Sequence, residues 1–404
     1  MKMKISKTAI VSATFAIFAI SAYAQDAQAP AQQPAKAPEA PAVEANKNED
    51  RSYFADYEGK QANVVLFDEK SKKETPVTVK SVESNEVIFV GGGGELSVSK
   101  KKTSSMKVVY RPDSQTWVSA RNAYNRGNWD ESVAYMRQLI YPIIPLMSLP
   151  AETFKGHVML EMYLQALMNA DRMVEAESIV SAISLSDCAH ELVSSALAVA
   201  EMLAQKDKIK EALAIIERVP FTGDKIENIP DMMKVLSVLR KKGMAKECAV
   251  YYTKLMNIES PQKNEATLWM VYCDLSLGKK MSAEIYLNQI KLEKTVSEFS
   301  LLQLTKGMLE SAKDKPDLRV VLDLYAEGIV FGSLASPWMP ELLYNTGMAY
   351  KKYGKQYAAN EIFAQMLAFY PDDVLTQKGQ KEIVKAERKK VKKADEDDED
   401  EDDE

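Results

Sequence analysis

The sequence predicts a mainly helical chain of about seven helical hairpins, preceded by a small all-β unit. Three observations lead there. From Gln115 onward the apolar residues recur with a helical period. Within that stretch a small residue followed four positions later by a bulky apolar one returns at a nearly constant interval. Before it, from Tyr53 to Pro112, short runs of β-branched and aromatic residues alternate with charged or Gly-rich turns.

Composition agrees with a folded, water-exposed chain. Of 404 residues, 46% are hydrophobic and 27% charged, which excludes a wholly disordered, collagenous or polytopic membrane protein. The net charge of −6 is unevenly distributed. Residues 395–404 (DEDDEDEDDE) carry −10 and Lys2, Lys4 and Lys7 carry +3, so the remaining body is nearly neutral.

Residues 1–24 have the layout of a secretory signal peptide: three lysines, an apolar run from Ala9 to Ile20, then Ala22-x-Ala24. That run is too short to span a hydrocarbon core, which needs about 20 residues. No later segment is longer and equally apolar. The chain is therefore expected to be exported, to the periplasm first and otherwise secreted or associated with the outer membrane, with no transmembrane anchor after signal cleavage. Residues 25–52 follow as an Ala/Pro-rich disordered tether; 25–45 alone hold eight Ala and four Pro. Residues 53–112 form the β unit, with strands expected at Asn63–Phe67, Val77–Val82, Glu86–Val90, Leu96–Ser99 and Met106–Tyr110. Gly91–Gly94 lacks the Lys-Ser/Thr of a phosphate cradle and reads as a hairpin turn. Five short strands in about 55 residues resemble a small closed barrel of the SH3 or Sm type.

Residues 115–371 carry the repeats. The small-residue positions are Ser132, Ala176, Ala212, Cys248, Ala283, Val320 and Ala359, with intervals of 44, 36, 36, 35, 37 and 39. The long first interval absorbs an insert from Tyr141 through Pro150. The clearest unit is Leu343–Pro371. There Leu343, Thr346, Gly347, Tyr350, Ala359, Phe363 and Pro371 stand at the positions of the tetratricopeptide-repeat pattern, five of the seven matching. This stretch resembles that family. Gly347 and Ala359 let two helices approach closely, the aromatics fill the space beside them, and Pro371 stops the second helix. Gly354 supplies the turn. Trp117 and Tyr124 repeat the aromatic spacing before Gly127 and Ser132, with a turn that reads one residue shorter. The resemblance implies an α-solenoid with a concave groove. It also implies a capping helix over 372–393, with Val374, Leu375, Ile383 and Val384 on its inner face. Residues 394–404 form a disordered acidic tail.

Chemistry-bearing residues are few. His157 and His190 stand without ligand-spaced neighbours, so no catalytic, metal or cofactor site is expected. Glu175 and Glu177 read as ordinary solvated carboxylates. Met232, Met233, Met256, Met270 and Met366 lie at packing spacings. Cys188, Cys248 and Cys273 read as buried thiols, a Cys248–Cys273 bridge being the alternative. In the resembled family, inner residues of each first helix hold peptide segments. Carried over, these positions are Asn122, Arg126, Arg240, Lys241, Leu268, Tyr272, Tyr344, Met348, Lys351 and Lys352. Bases beside aromatics suit a segment bearing a carboxylate. Between Lys378 and Lys393 eight bases face Glu382 and Glu387, and the polyanion that follows argues against nucleic acid. The tail reads as a solubilising segment, with a groove competitor or a weak divalent-cation collector as alternatives. The expected function is a non-enzymatic adaptor or scaffold for another cell-envelope protein. Self-assembly of solenoids and glycan binding through the β unit are the competing readings.

Overall fold

The computed structural model describes residues 62–100, 106–150, 152–186, 188–221 and 223–383. The signal peptide, the tether, residues 53–61, the basic run 384–393 and the acidic tail lie outside the described residues.

Five strands form one antiparallel sheet: β1 (Val64–Asp68), β2 (Lys73–Val82), β3 (Glu86–Gly91), β4 (Gly94–Ser99) and β5 (Met106–Tyr110), in the order β4-β3-β2-β1-β5. Period-2 alternation sets the inner face: Val87 and Phe89 are buried while Val90 is exposed. Gly91 pairs with Gly94, so Gly92 and Gly93 form a tight turn, and Gly94 adopts a φ of +109° that L side chains avoid. The register of β2 against β3 slips between Val79 and Ser81, a bulge that bends the long β2.

The outer edge of β5 is taken by the helical region. Val108 bridges in parallel to Phe154, its N–H donating to the Thr153 carbonyl at 2.8 Å. The Tyr110 hydroxyl donates to the Leu139 carbonyl. Phe154 is fully buried, and a Cβ on Gly156 would stand 2.3 Å from its ring. The insert that lengthens the first repeat therefore has a role. Residues Tyr141–Ser148 turn as a 3-10 segment, bury Ile143, Leu146 and Met147, and deliver residues 153–154 to the open strand edge. One continuous apolar cluster runs from the sheet through the helices.

Among the described residues the sheet is followed by α1 (Ser114–Asn125), α2 (Trp129–Ile140), α3 (His157–Asn169), α4 (Met173–Ala182), α5 (His190–Gln205), α6 (Ile209–Glu217), α7 (Ile229–Lys241), α8 (Ala245–Met256), α9 (Lys263–Ser276), α10 (Lys280–Gln289), α11 (Phe299–Ser311), α12 (Leu318–Phe331), α13 (Met339–Lys352) and α14 (Gln356–Phe369), before a further helical stretch at 374–383. Each odd helix packs on the even helix after it, making seven hairpins. Asp113 caps α1 through the Thr116 amide.

Six hairpins share one three-residue turn. Its middle residue has a left-handed φ: Gly127, Asp171, Asp207, Gly243, Gly278 and Gly354. The amide of each third turn residue reaches back to a first-helix carbonyl: Asn128 to Ala123, Arg172 to Leu167, Lys208 to Leu203, Met244 to Leu239, Lys279 to Asp274 and Lys355 to Tyr350. Each middle amide closes an inner bond of the same Schellman type. Every such turn residue stands five positions before its small residue, so turn and packing share one register.

Those small residues let the second helix lie against the backbone of the first. Ser132, Ala176, Ala212, Cys248, Ala283 and Ala359 are all 0% exposed. Ser132 Oγ donates to the Ala120 carbonyl and Cys248 Sγ to that of Leu236, each twelve residues back. Two features of the sequence reading change. In the sixth hairpin Val320 is exposed, and the packing pair is Val321 and Tyr325. Pro316, with its fixed negative φ, cannot take the left-handed turn position, and the turn lengthens to 312–317. In the first hairpin the turn is not shorter. Trp117 and Tyr124 instead sit one position later relative to the turn than Leu343 and Tyr350.

The last hairpin is tightly built. A Cβ on Gly347 would stand 2.5 Å from the Phe363 ring and one on Gly379 would stand 2.7 Å from it. Gly307 does the same beneath Tyr325. Residues 374–383 are helical; of the expected inner face Leu375 is buried and Ile383 packs on the core, Val374 is exposed instead, with Thr376 buried, and Val384 lies outside the described residues. Trp117, Tyr124 and Tyr350 are half-buried, and Pro371 is exposed just beyond α14.

Candidate functional site

The expected groove residues separate into three groups. Asn122 and Arg126 stand exposed on the first hairpin, and Arg126 turns back to the Asn122 carbonyl and to Glu131. In the shared turn register these two do not match the carboxyl-terminal positions, which removes the basis for carrying them over.

Arg240 and Leu268 are interior residues. Leu268 is 0% exposed, within the core. The Arg240 side chain is 1% exposed and pairs with Glu341 of α13, Nη1 to Oε1 at 2.5 Å. Its guanidinium lies 3.3 Å from the Trp269 ring centroid and 5.1 Å from that of Tyr272. Burial opposes this charge and Glu341 restores it, leaving the guanidinium pKa raised. The fourth hairpin is thus linked to the seventh, and Lys241 adds a second link to Asp373 at 2.7 Å.

Tyr344, Met348, Lys351 and Lys352 remain together on α13. The Tyr344 ring lies 6.2 Å from Phe363. Lys351 pairs with Glu382 of the 374–383 helix, and Lys352 is exposed. With Arg240, Lys241 and Lys351 all held by internal carboxylates, the basic groove expected for an acidic segment is neutralised.

Of the cavities among the described residues, one of about 720 Å³ lies between β5, α1 and the end of α2, and two others open on the odd-numbered helices of the later hairpins. One, of about 570 Å³, lies between α9, α11 and α13, and its lining includes Leu275, Met308, Tyr325, Met348 and Lys352. The other, of about 390 Å³, lies between α5, α7 and α9 and is lined by Glu201, Met233, Lys241, Glu265, Trp269 and Pro337 among others. Glu265 accepts a bond from Trp269 Nε1 at 3.2 Å. Burial raises the carboxyl pKa of both Glu201 and Glu265 above the ordinary range. Sequence reading missed both acids and Trp269, although Glu265 and Trp269 stand one turn apart on α9, beside the expected position Leu268.

A second charge network lies in the amino-terminal hairpins. Glu175 was expected in solvent; it is 2% exposed. It accepts two bonds from Arg137, at 2.9 and 2.7 Å, and further ones from the hydroxyls of Tyr141 and Tyr163. The available signal was its place beside Ala176 in the buried stripe of α4. His190 is not isolated either, lying 3.1 Å from Glu227 and 3.4 Å from Glu191. His157 is buried against the Met147 carbonyl.

Cys188, Cys248 and Cys273 are buried, Cys248 and Cys273 are not joined to each other, and burial pushes the Cys273 thiol up to about 12. The five methionines assigned to packing are buried or packed on the core. Among the described residues no His, Cys, Asp and Glu group has metal-binding geometry, and no helix is long and apolar enough to cross a membrane. No protein-family model matches the sequence, and no curated protein matches it.

Proposed function

We propose that this chain is an exported, non-enzymatic adaptor that captures a segment of another cell-envelope protein on the inner face of a tetratricopeptide-like α-solenoid. The observation that carries this reading is the placement of the two cavities of the later hairpins. Both are lined mainly by first helices, the elements whose inner residues hold peptides in the resembled family. The solenoid assignment is supported by six identical turns at the repeat spacing. The SH3- or Sm-like assignment of the sheet is supported by its four-strand meander with β5 returning to pair with β1 and by the bulged β2, while the other edge of β5 is taken by residues 153–154. Export rests on the amino-terminal sequence alone.

The test is photo-crosslinking in cells from the full chain. A crosslinker at Met348, in the cavity between α9, α11 and α13, is expected to trap a defined partner. One at Val250, exposed on α8, is expected to trap none. Equal adducts from both positions would refute inner-face capture.

Self-assembly has one observation in its favour. Val330, Phe331, Leu334 and Phe369 are all exposed near the ends of α12 and α14, and the Tyr370 hydroxyl bonds to the Leu334 carbonyl. Sedimentation that depends on concentration and is abolished by Val330→Asp with Phe369→Asp would favour it; a strict monomer would exclude it.

A further inference from the structure

We propose that the cavity between α5, α7 and α9 takes a lysine or arginine side chain of the captured segment, so that the chain selects a basic residue rather than an acidic one. This inference rests on the segment-capture reading and specifies its chemistry.

The bases around this cavity are already used. Lys241 pairs with Asp373 at 2.7 Å, Lys234 with Asp231 at 2.8 Å, and Arg240 with Glu341 below Trp269. Lys234 and Lys241, which themselves line the cavity, are thus each held by a carboxylate, although the Lys234 charge also reaches Glu201. The acids of the cavity are not held in this way. Glu201 accepts only the Gln205 amide at 3.3 Å, and Glu265 only the Trp269 indole. No base among the described residues stands within 4 Å of either carboxylate. Both carboxylates are partly withdrawn from water, which strengthens their attraction for an incoming cation.

The remaining walls suit the stem of such a side chain. Met233, Val238, Pro230, Pro337 and Trp269 present apolar surface to an aliphatic or guanidinium-bearing chain whose head reaches the acids. A volume of about 390 Å³ accommodates one long side chain with its flanking backbone. Two carboxylates among apolar walls do not supply the six or more oxygens a calcium ion takes. An acidic side chain here would meet unpaired like charge.

The experiment is a positional-scanning peptide array probed with the full chain, followed by titration of the best peptide. Enrichment of Lys or Arg at one position is expected. Glu201→Gln with Glu265→Gln should weaken that peptide at least tenfold while the melting temperature holds or rises. Binding should strengthen as pH rises through the raised carboxyl range and weaken with salt. Spermidine and N-acetyl-lysine amide test for a free amine as ligand; either one binding as tightly as the peptide overturns the proposal. Enrichment of Asp, Glu or apolar residues alone, or no effect of the double variant, overturns it too. In those cases partner trapping at Met348 would leave segment capture standing, whereas a partnerless array together with equal adducts at Met348 and Val250 would remove both.

Discussion

Arg137 and Glu175 join neighbouring hairpins, whereas Arg240 and Glu341 join hairpins 101 residues apart in sequence. The Arg240–Glu341 pair is fully buried and the Arg137–Glu175 pair buried on its carboxylate side, and they are built differently. The first is bidentate, and two tyrosine hydroxyls fill further lone pairs of the carboxylate. The second is held end-on. Arg240 Nε and Glu341 Oε2 have no hydrogen-bond partner among the described residues, and the guanidinium face is covered by Trp269. Desolvating an ion pair is offset only where geometry and extra hydrogen bonds are good. The Glu175 network meets that condition and the Arg240 clasp does not. The clasp instead ties α7 to α13 across the carboxyl-terminal hairpins.

Single truncations should have the largest effects and blur the contrast. Glu175→Ala leaves Arg137 and two hydroxyls without their acceptor, and Glu341→Ala leaves a buried guanidinium. Each is expected to cost about 3–5 kcal/mol in denaturant unfolding. A loss below about 1 kcal/mol for Glu175→Ala would break the network reading.

Paired apolar replacement sharpens the comparison. Arg240→Met with Glu341→Leu should fall within about 1 kcal/mol of the parent or above it. Arg137→Met with Glu175→Leu should remain clearly destabilised, because the fully buried Tyr163 loses the carboxylate its hydroxyl bonds to, and an unsatisfied buried hydroxyl costs about 1–3 kcal/mol. Equal outcomes at the two sites would erase the distinction.

Packing beneath the clasp gives the next effect. Gly347→Ala gains about 1 kcal/mol of helix propensity but drives a methyl into Phe363, for a net loss of about 1–3 kcal/mol. Phe363→Leu in the same chain should recover part of it.

At the turns, Asp207→Val places a β-branched residue at a φ of +63° and should cost about 1–2 kcal/mol, while Asp207→Gly stays within about 1 kcal/mol. Both are read as shifts in thermal melting.

The smallest effect is a pH dependence. Burial raises the folded-state pKa of Glu265 above its unfolded value, so its ionisation costs stability as pH rises through that range. Glu265→Gln should therefore melt higher than the parent at neutral pH and identically where the acid is protonated. A parent that is more stable than the variant at neutral pH would reverse the sign.

Much of the architecture was legible because its causes are local. Helical hairpins follow from small residues at 132, 176, 212, 248, 283 and 359, each five positions after a residue that turns left-handed. The strands follow from alternation, and their observed bounds differ from the expected ones by a few residues, most at the start of β2. The sixth hairpin misled the register because Val320 and Val321 are adjacent and only contact with Gly307 and its neighbours selects Val321 and Tyr325. The site was less legible. Arg240 and Lys241 have the residue types of a basic groove, and nothing near them in sequence announces Glu341 or Asp373. Glu201 and Glu265 resemble any helical surface glutamate until α5, α7 and α9 are brought together.

By itself, then, the sequence determined the order of strands and helices, the spacing of the hairpins and the residues that let them touch. Those follow from backbone preferences and from side-chain volume within about forty residues. Only the tertiary structure decided which charges are spent and which are left over. Ion pairing depends on distance in space and on loss of water, and the partners of Arg240, Lys241 and Glu175 come from hairpins whose approach no local pattern encodes.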